Sequence, residues 1–582
     1  MRRNLTGKLE LLIICLLAIV PLFIHLPYRV NIFLSWEGAY RISQGQLPFR
    51  DFGTPLGGMY WVIPALFFKI FGTGLFTLII AQVFINILSG LAFRSILKSL
   101  GVDAGVRLAA VLLFCVSYSF FNFWPWYNHS VIVYELVGLA FVLSYMAGGG
   151  VTPTAVGDRW RGWWRLAAAA LFILFSFLTK QDGGGLAILT ALVLLAYHGL
   201  QSRRWTPLLF FIASFVALCV IVMLPLSRYG FGYWFNHGQP PHTARVSPFD
   251  IVSDFFGASQ WIKFYIALIV LLLIFRYRSW RQLAEDRQTV LIVLLTICIL
   301  GEASVLQVTS YTPPDNNIFF HSFGFVCLLS LLAPLLPVKM GSPRIYITLC
   351  CCVLLWWSGV WWKYTQRVAG KFLASKAAAS PTGENVINKD TYMINRDTTT
   401  EIPTEQWVEC GLPAFRKITM PAPTVDGIRR LMEMPLVKGA RGGAAAGGHT
   451  GNHTGDDTGD HAGDHAVGGG LRVLNMSELT PLAQEIPYQL ERNQQLPLWF
   501  HLGVGMFNRQ AEIYETRIRD HYYDLVLFEY VPTLNNFYPF RVRDSLQVHY
   551  SKVDSFMAPR RGGETQGVIE VFVKQKDTTA GH

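Results

Sequence analysis

The 582-residue chain is 52% hydrophobic and only 15% charged, with a mean hydropathy of +0.35. Because soluble domains carry about 25% charged residues, this composition excludes a wholly soluble protein. The formal net charge is +11, but the basic residues lie in short loops between apolar blocks. That distribution is typical of membrane topology and does not predict a nucleic-acid-binding face.

Nine cysteines form neither a disulfide framework nor a zinc site. Eight of them lie in apolar segments, and Cys410 alone falls in the polar C-terminal part. One cysteine cannot form an intradomain disulfide, and no CxxC or Cys/His zinc spacing occurs. We therefore expect no structural metal and no cofactor.

Eleven apolar blocks predict membrane-spanning helices, each of which needs about 20 mostly apolar residues. The first block follows a basic start and has no small-residue cleavage site, so we interpret it as a retained helix. The fifth and sixth blocks are short, at about sixteen residues each, which favours a hairpin whose tip lies below the outer surface. The predicted cores are Leu11–Leu26, Leu75–Phe93, Leu108–Phe121, Val131–Met146, Leu166–Leu178, Gly185–Tyr197, Pro207–Leu226, Trp261–Phe275, Val290–Val308, Ile318–Leu336 and Ile345–Trp362.

The loop charges orient these helices. With the N-terminus inside, the inside loops hold seventeen Lys and Arg residues. Positive loops remain on the cytoplasmic side, and an odd number of spans places everything after Trp362 outside. The outside loops hold fewer basic residues, among them Arg29, Arg41, Arg50, Lys180, Arg228 and Arg245.

Composition divides the chain into a transmembrane domain at 1–362 and a soluble extracytoplasmic domain at 363–582. The predicted fold class is therefore a polytopic α-helical membrane protein with a C-terminal α/β domain, because strand-like and helical stretches alternate in the soluble part. Its predicted strands are Arg472–Met476, Tyr523–Tyr530 and Val568–Lys574, and its predicted helices are Ala511–His521 and Val542–Val553.

A low-complexity insertion at 441–470 interrupts the soluble domain. Five tetrapeptides, GGHT, GNHT, GDDT, GDHA and GDHA, occupy Gly447–Ala466. Their composition favours a flexible linker. Metal collection by the dense His and Asp residues is the alternative.

Polar and ionisable side chains collect in the outer half of the predicted spans. Such residues are costly in lipid and are usually functional. Their common depth predicts one cavity open to the outside, and the alternative for each is a satisfied interhelical contact. The predicted cavity-lining residues are Asn128, His129, Glu135, Asp182, Glu302 and His321.

The first outer loop carries two carboxylates and an apolar segment. Glu37 and Asp51 flank a short amphipathic stretch and are suited to general-base catalysis on an acceptor hydroxyl. The alternatives are solvated loop charges or ion pairs with Arg41 and Arg50. The segment Met59–Phe71 is too short to span easily and is expected to lie in the interface plane.

This loop resembles the first periplasmic loop of the GT-C superfamily of membrane glycosyltransferases. That group includes protein O-mannosyltransferases, lipid A aminoarabinose transferases and bacterial Rgt-like enzymes. Its members have an acidic motif after the first span, and many have a stretch of the form G-x-x-P-Y-R-D-F. The segment Phe177–Leu189, FLTKQDGGGLAIL, is similar to one that meets the lipid phosphate in related enzymes. The matching loop residues are Glu37, Gly38, Gly45, Pro48, Phe49, Arg50, Asp51 and Phe52.

The resemblance implies transfer of a sugar from a polyprenyl-phosphate donor to an envelope glycan, lipid or protein. Glu37, helped by Asp51, would deprotonate the acceptor hydroxyl. Lys180 would hold the leaving phosphate as a point charge, assisted by Arg228 and Arg245. The expected location is the bacterial inner membrane, with a cytoplasmic N-terminus and a periplasmic C-terminal domain.

Two other classes stay open. Trp36 stands where many members carry the first acidic residue, so Glu37 or Asp51 has to replace it. Otherwise the chain is a non-catalytic envelope scaffold derived from that fold. A transporter is the third class, but the inner halves of the spans are poor in ionisable residues, whereas a transport path carries polar groups across the midplane.

The topology can be tested with reporter fusions. A reporter placed after Trp362 is expected to be active only outside the cytoplasm, and one placed near Arg281 only inside, because basic loops are retained in the cytoplasm. Swapped signals would overturn the orientation and the site assignments that depend on it.

Overall fold

A computed structural model describes residues 2–28, 32–119, 123–148, 156–229, 248–309, 320–359, 361–362, 365, 402, 406–446, 471–488, 490–502, 506–534, 538–559 and 566–574. The tetrapeptide repeats and Arg245 lie outside these residues. The chain forms two compact units. The helical unit comprises Met1–Ile24, Pro55–Phe67 and Leu78–Val386, and the mixed unit comprises His25–Thr54, Phe68–Thr77 and Ile387–His582.

This grouping differs from a single boundary after Trp362, because the helical unit extends to Val386 and takes in only part of the first outer loop. Two segments of the first outer loop, His25–Thr54 and Phe68–Thr77, belong with the C-terminal part of the chain. The region that resembles the GT-C loop is therefore packed within the mixed unit.

Helices account for most of the described secondary structure. In chain order they are α1 (Arg2–Ile19), α2 (Ile32–Ser43), α3 (Met59–Phe71), α4 (Leu75–Ser99), α5 (Ala104–Ser119), α6 (Tyr127–Gly148), α7 (Val156–Phe177), α8 (Gln181–Ser202), α9 (Thr206–Leu226), α10 (Pro248–Gly257), α11 (Gln260–Arg276), α12 (Trp280–Glu285), α13 (Arg287–Thr309), α14 (Phe320–Leu332), α15 (Pro343–Trp356), α16 (Ala422–Glu433), α17 (Pro435–Ala446), α18 (Leu482–Glu485), α19 (Asn508–Arg519) and α20 (Phe540–His549).

Seven strands are described: β1 (Leu26–Pro27), β2 (Val408–Glu409), β3 (Ile418–Met420), β4 (Val473–Met476), β5 (Leu525–Tyr530), β6 (Tyr550–Met557) and β7 (Val568–Lys574). All of them lie in the mixed unit. The prediction of an α-helical membrane protein with a C-terminal α/β part is thus confirmed by the fold.

Membrane-compatible helices build the helical unit. Among the described residues, six helices are long and apolar enough to cross a membrane, or seven if the bent pair α10 and α11 is one span. The axes of that pair differ by 78°. Shorter apolar helices cover four further predicted cores, at Ala104–Ser117, Gly162–Phe177, Phe320–Leu335 and Pro343–Trp356. Each predicted core therefore coincides with an apolar helix, and the total of eleven crossings stays a prediction.

Two predicted boundaries need correction. The first core was placed through Leu26, but the apolar helix ends at Phe23 and Leu26 begins β1. The sixth span was expected to be short, but α8 has 22 residues and is among the six full-length helices. It is longer because its first turn is Gly-rich and its last turn is polar, and neither carries an apolar signal.

Glycines allow close approach where α7 turns into α8. A Cβ atom on Gly184 would lie 2.2 Å from the Cα of Phe177, and one on Gly57 would lie 1.7 Å from the carbonyl oxygen of Leu178. Real Cβ atoms do not approach so closely, so only glycine fits at either position. The hairpin tip around Lys180 is therefore held by backbone packing.

A four-stranded sheet in the order β4-β5-β7-β6 forms the centre of the mixed unit. β4 and β5 are parallel, and the other neighbours are antiparallel. β5 is central and almost fully buried, which fits its run of Leu, Val and Phe. Side chains from α19 and α20 complete the core against the sheet, among them Tyr514, Ile518, Val542 and Leu546.

A second, smaller sheet draws the first outer loop into the mixed unit. It has the order β1-β3-β2, and β1 pairs in parallel with β3. Residues separated by nearly 400 positions in the sequence are thereby hydrogen-bonded, as in the bond from the Leu26 amide to the Lys417 carbonyl at 3.0 Å.

The strands predicted in the soluble part are confirmed, and so is the helix predicted at Ala511–His521, which corresponds to α19. The helix predicted at Val542–Val553 is only partly right. It ends at His549, and the next residues form β6, whose polar side chains face away from the core. A mostly polar strand lacks the apolar alternation by which strands are recognised. The interval assigned to low complexity also begins inside α17, which extends to Ala446.

Candidate active site

Helix α2 places a carboxylate and a guanidinium on one buried face. Glu37 and Arg41 are one helical turn apart, which brings their side chains together, and they are 5% and 9% exposed. Arg41 donates from Nε and Nη2 to the same oxygen, Oε1 of Glu37, at 3.0 and 2.9 Å. The ion-pair interpretation of Glu37 is therefore correct, and Glu37 is not a solvated loop charge.

The rest of the Arg41 guanidinium fixes the position of this pair. Nη1 donates to the side-chain oxygen of Gln46 and to the carbonyl oxygen of Glu491, each at 3.0 Å. Gln46 in turn donates to the carbonyl of Leu490 at 3.0 Å. A residue of the first outer loop is thus held by backbone oxygens that lie about 450 residues later in the sequence.

Glu37 faces a small cavity inside the mixed unit. The cavity has a volume of about 40 Å³, enough for about three water molecules. Its polar wall includes Arg41, Thr480 and Glu491, and aromatic rings form much of the remainder. The lining residues are Trp36, Glu37, Arg41, Phe52, Val473, Leu474, Asn475, Thr480, Tyr488, Leu490, Glu491, Leu496, Pro497, Phe500 and Tyr514.

Burial changes the acidity of Glu37. Loss of hydration raises the pKa of the Glu37 carboxyl above its ordinary value of 4.5, and the charge and hydrogen bond of Arg41 oppose part of that rise. A carboxylate with a raised pKa is a stronger proton acceptor. Its position and acidity suit it to general-base catalysis.

Trp36 contributes to the wall of the cavity. It is fully buried, donates from Nε1 to the carbonyl of Thr73 at 2.6 Å, and stacks on Tyr40 with ring centroids 4.5 Å apart. The indole at the position of the expected acidic residue therefore stabilises α2, and the neighbouring Glu37 supplies the carboxylate.

Asp51 has a different environment from Glu37. Its Oδ2 atom accepts hydrogen bonds from the Leu47 amide and from Arg50 Nη2, both at 2.7 Å. Its carbonyl oxygen accepts from the amide of Asn493 at 2.8 Å. Because these contacts organise a turn and Asp51 does not line the cavity, the geometry favours a structural role for Asp51.

Glu491 is a second carboxylate on the cavity wall. Its Oε2 atom accepts from Nη1 of Arg517 at 2.7 Å and from the Tyr523 hydroxyl at 3.4 Å. Burial raises the pKa of Glu491, and the charge of Arg517 partly offsets that rise. No local pattern in the sequence marks Glu491, because its place on the cavity depends on packing against a distant helix.

Thr480 and Arg41 were also missed. Arg41 was considered only as an ion-pair partner, although its spacing of four residues from Glu37 marks a helical pair. Thr480 lies in the segment after β4, and nothing in its neighbourhood distinguishes it from an ordinary polar residue.

In the helical unit, Lys180 is an extended residue at the start of α8. Its ammonium group is fully buried and lies 2.9 Å from the carboxylate of Asp182. It also lies 5.9 Å from the centre of the Tyr127 ring. This ion pair is the structural alternative considered for Lys180, and the phosphate-binding role stays a prediction.

Among the predicted cavity-lining residues of the helical unit, Asp182 lies near enough to Glu302 for their charges to interact. Glu135 and Glu302 are buried, and their carboxyl groups interact with each other. His321 packs on Trp261 with ring centroids 4.3 Å apart. Asn128 and His129 begin α6, as expected.

The remaining predicted phosphate-binding residues are Arg228 and Arg245. Arg228 is exposed just after α9, with its guanidinium 5.3 Å from the centre of the Tyr229 ring. Arg245 lies outside the described residues. Within the described part of the chain, no cluster of three or more His, Cys, Asp or Glu residues is suited to holding a metal ion.

No protein-family model matches the chain, and no curated protein matches it. Among solved structures, an Archaeoglobus fulgidus oligosaccharyltransferase is similar over 62% of this chain, with 10% identity and a TM-score of 0.36. The matched part is 52% of that enzyme, so the chain spans about half its length.

The chain is also similar to ArnT from Cupriavidus metallidurans. The structure of ArnT bound to undecaprenyl phosphate shares 14% identity over 63% of this chain and 72% of that one, with a TM-score of 0.35. The apo structure shares 14% identity over 62% of this chain and 72% of that one, with a TM-score of 0.37. Similarity at these TM-scores carries no functional inference, which has to come from the site residues.

Substitutions that change charge can show whether Lys180 binds the donor phosphate or only pairs with Asp182. If Lys180 binds the donor phosphate, Lys180→Ala is expected to weaken donor binding by about tenfold or more, because a hydrogen bond to a charged group is lost. Lys180→Arg should then keep part of the binding, and Asp182→Asn should change it little. Binding is measured with radiolabelled polyprenyl-phosphate sugar on purified protein.

If Lys180 and Asp182 only stabilise the fold, the variants should affect the amount of folded protein and not donor binding. Lys180→Ala and Asp182→Asn would each lower the amount of folded protein, because each leaves a buried charge without its partner, and the double variant would recover. Wild-type donor binding by a stably folded Lys180→Ala protein would end the phosphate assignment.

Proposed function

We propose that the protein is a membrane glycosyltransferase that moves a sugar from a polyprenyl-phosphate donor to a hydroxyl group of an envelope glycan, lipid or protein. The observation that carries the proposal is the environment of Glu37. It is a buried carboxylate with a raised pKa, fixed on one oxygen by Arg41, and it faces a cavity with polar and aromatic walls.

Glu37 acts as the general base in this reaction. It takes the proton of the acceptor hydroxyl while the hydroxyl oxygen forms a bond to the anomeric carbon of the donor sugar. The bond between that carbon and the phosphate oxygen breaks, and its electron pair leaves with the polyprenyl phosphate. The proton on Glu37 then passes to solvent.

A lipid-borne donor follows from the proposed topology. If the loop that carries Glu37 lies outside the cytoplasm of a bacterial inner membrane, cytosolic nucleotide sugars are out of reach. A sugar carried by a polyprenyl phosphate in the outer leaflet is available on that side. Lys180 is the proposed partner of the donor phosphate, which would take the place of the Asp182 carboxylate at the start of α8.

A non-catalytic scaffold is the second candidate. Trp36 raised this possibility, but its indole is accounted for by packing, and the adjacent Glu37 keeps a carboxylate on the cavity. A scaffold has no need of a carboxyl group on a buried cavity wall, because burying such a group is costly. This argument favours an enzyme.

The proposal is tested by Glu37→Gln. The change keeps the shape of the side chain and removes its basicity, so transfer is expected to fall by about 100-fold to 10,000-fold, the usual contribution of a general base. The assay follows radiolabel from the strain's polyprenyl-phosphate sugar fraction into the envelope fraction of a deletion strain. Membrane insertion and protein level should be unchanged.

Glu515→Gln is the matched control for this substitution. Glu515 is also paired with an arginine in the mixed unit, Arg541, but it does not line the cavity. The control should transfer sugar like the wild type. Normal transfer by Glu37→Gln would remove Glu37 from the mechanism.

A second test uses the pH dependence of transfer. Glu37 acts in its ionised form, so the rate should rise with pH through the pKa of Glu37 and then level off. Arg41 holds that pKa down by its charge and hydrogen bonds. Arg41→Lys keeps the charge but loses the paired hydrogen bonds, so the acidic limb should move to higher pH, measured as the midpoint of the rate profile. An unmoved midpoint would show that Glu37 is not the titrating base.

A further inference from the structure

Two arginine–carboxylate pairs on the cavity differ from two other pairs of the mixed unit, Arg543–Glu570 and Arg430–Asp554. In Arg543–Glu570, two guanidinium nitrogens bind two different carboxylate oxygens, at 2.7 and 2.8 Å. Arg430 and Asp554 show the same two-oxygen geometry. This geometry gives the strongest ion pairing and leaves no oxygen for a ligand.

The two cavity carboxylates are each held by one oxygen only. Arg41 directs both of its donors to Oε1 of Glu37, and within the described residues no hydrogen bond reaches Oε2. Arg517 binds Oε2 of Glu491, and Oε1 is buried without a hydrogen-bond partner in the described structure. One oxygen of each carboxylate is therefore available to a group inside the cavity.

Another unsatisfied group lies on the same wall. Thr480 is 4% exposed, and its hydroxyl has no hydrogen-bond partner among the described residues. Buried polar groups are normally paired, and each unpaired one costs free energy. Two such buried atoms on one cavity, beside the second oxygen of Glu37, indicate a bound molecule that supplies hydrogen bonds.

We propose that this cavity binds the hydroxymethyl arm of the acceptor, with Glu491 and Thr480 as acceptor-binding residues contributed by the C-terminal part of the chain. The inference rests on the proposed function and names its substrate class, a sugar or polyol that reacts through a primary hydroxyl. The reacting hydroxyl donates to Glu37 Oε2, and a neighbouring hydroxyl donates to Glu491 Oε1.

Size and charge both favour this class. The cavity of about 40 Å³ admits about three water-sized groups, which matches a narrow arm bearing a hydroxyl. Glu37 and Glu491 are balanced by Arg41 and Arg517, so the site has no net charge to attract a phosphate or an ammonium group. The aromatic lining residues Phe52 and Tyr488 give the arm an apolar surface for its carbon atoms.

The test separates transfer to the acceptor from transfer to water. Membranes of the deletion strain carrying each variant receive the radiolabelled polyprenyl-phosphate sugar fraction and graded amounts of unmodified envelope fraction. Label on the envelope fraction measures transfer, and label released as free sugar measures use of the donor with water. Thr480→Val keeps the shape of the side chain, and Glu491→Gln removes its charge.

Both variants are expected to raise the apparent KM for the envelope fraction by about tenfold or more, because each removes a hydrogen bond to the acceptor. Release of free sugar should stay at the wild-type rate, since Glu37 and the donor are unaffected. Glu515→Gln should change neither quantity. Glu491→Gln changes the ion pair with Arg517 and can reduce the amount of folded protein. Thr480→Val leaves that ion pair intact, so the test stays decisive.

Chemical treatment of the envelope fraction tests the substrate class. TEMPO oxidation converts primary hydroxyls into carboxylates and should abolish acceptor activity in the wild type. Full activity of the oxidised fraction would overturn the assignment, as would a wild-type KM in both variants. If Glu37→Gln has lost transfer in the same assay, either of these two results overturns the proposed acceptor site and leaves the proposed function standing. If Glu37→Gln transfers normally, the proposed function itself fails.

Discussion

The Glu37–Arg41 ion pair is the interaction on which the candidate site depends. An isolated carboxylate does not stay ionised in a buried environment, and the guanidinium compensates for that cost. Arg41 also binds Gln46 and the carbonyl of Glu491, so the same side chain that keeps Glu37 charged fixes where it points. Deleting one partner of a buried pair typically costs 3–5 kcal/mol, roughly the net stability of a marginal domain.

The first outer loop owes its position to backbone hydrogen bonds with the C-terminal part of the chain. The Gly53 amide donates to the Leu496 carbonyl at 2.8 Å, and the Leu498 amide donates to the Gly53 carbonyl at 2.9 Å. Together with β1 and β3, these bonds make His25–Thr54 a part of the mixed unit. The C-terminal part is therefore needed to build the surroundings of Glu37, which gives it a role that its sequence alone does not reveal.

Sequence was informative where the determinant is local. The apolar helices follow from the need for about 20 apolar residues in lipid, and β5 and β7 follow from runs of Val, Leu and Phe. Strand β6 was missed because its pairing with β7 is non-local and its exposed side chains are polar. Glu37 could be singled out from its loop motif, and Arg41 follows from helical spacing.

Glu491 and Thr480 show why the rest of the site could not be predicted. Their importance comes from the cavity that they share with Glu37, which exists only after the chain has folded. No periodicity or motif encodes the fact that Arg517 binds one oxygen of Glu491 and leaves the other unused.

The two cavity carboxylates differ from Glu570 in how their arginines bind them. Arg543 saturates Glu570 with two parallel hydrogen bonds, which serves stability. Arg41 directs two donors to one oxygen of Glu37, so the carboxylate is fixed at the cavity wall while no hydrogen bond from the described residues reaches its second oxygen. An enzyme needs both properties in its base, because a carboxylate that is fully bonded cannot accept a proton and one that is unpaired does not stay ionised when buried. Glu491 is likewise bound by Arg517 through one oxygen, which is the arrangement that the proposed acceptor site requires.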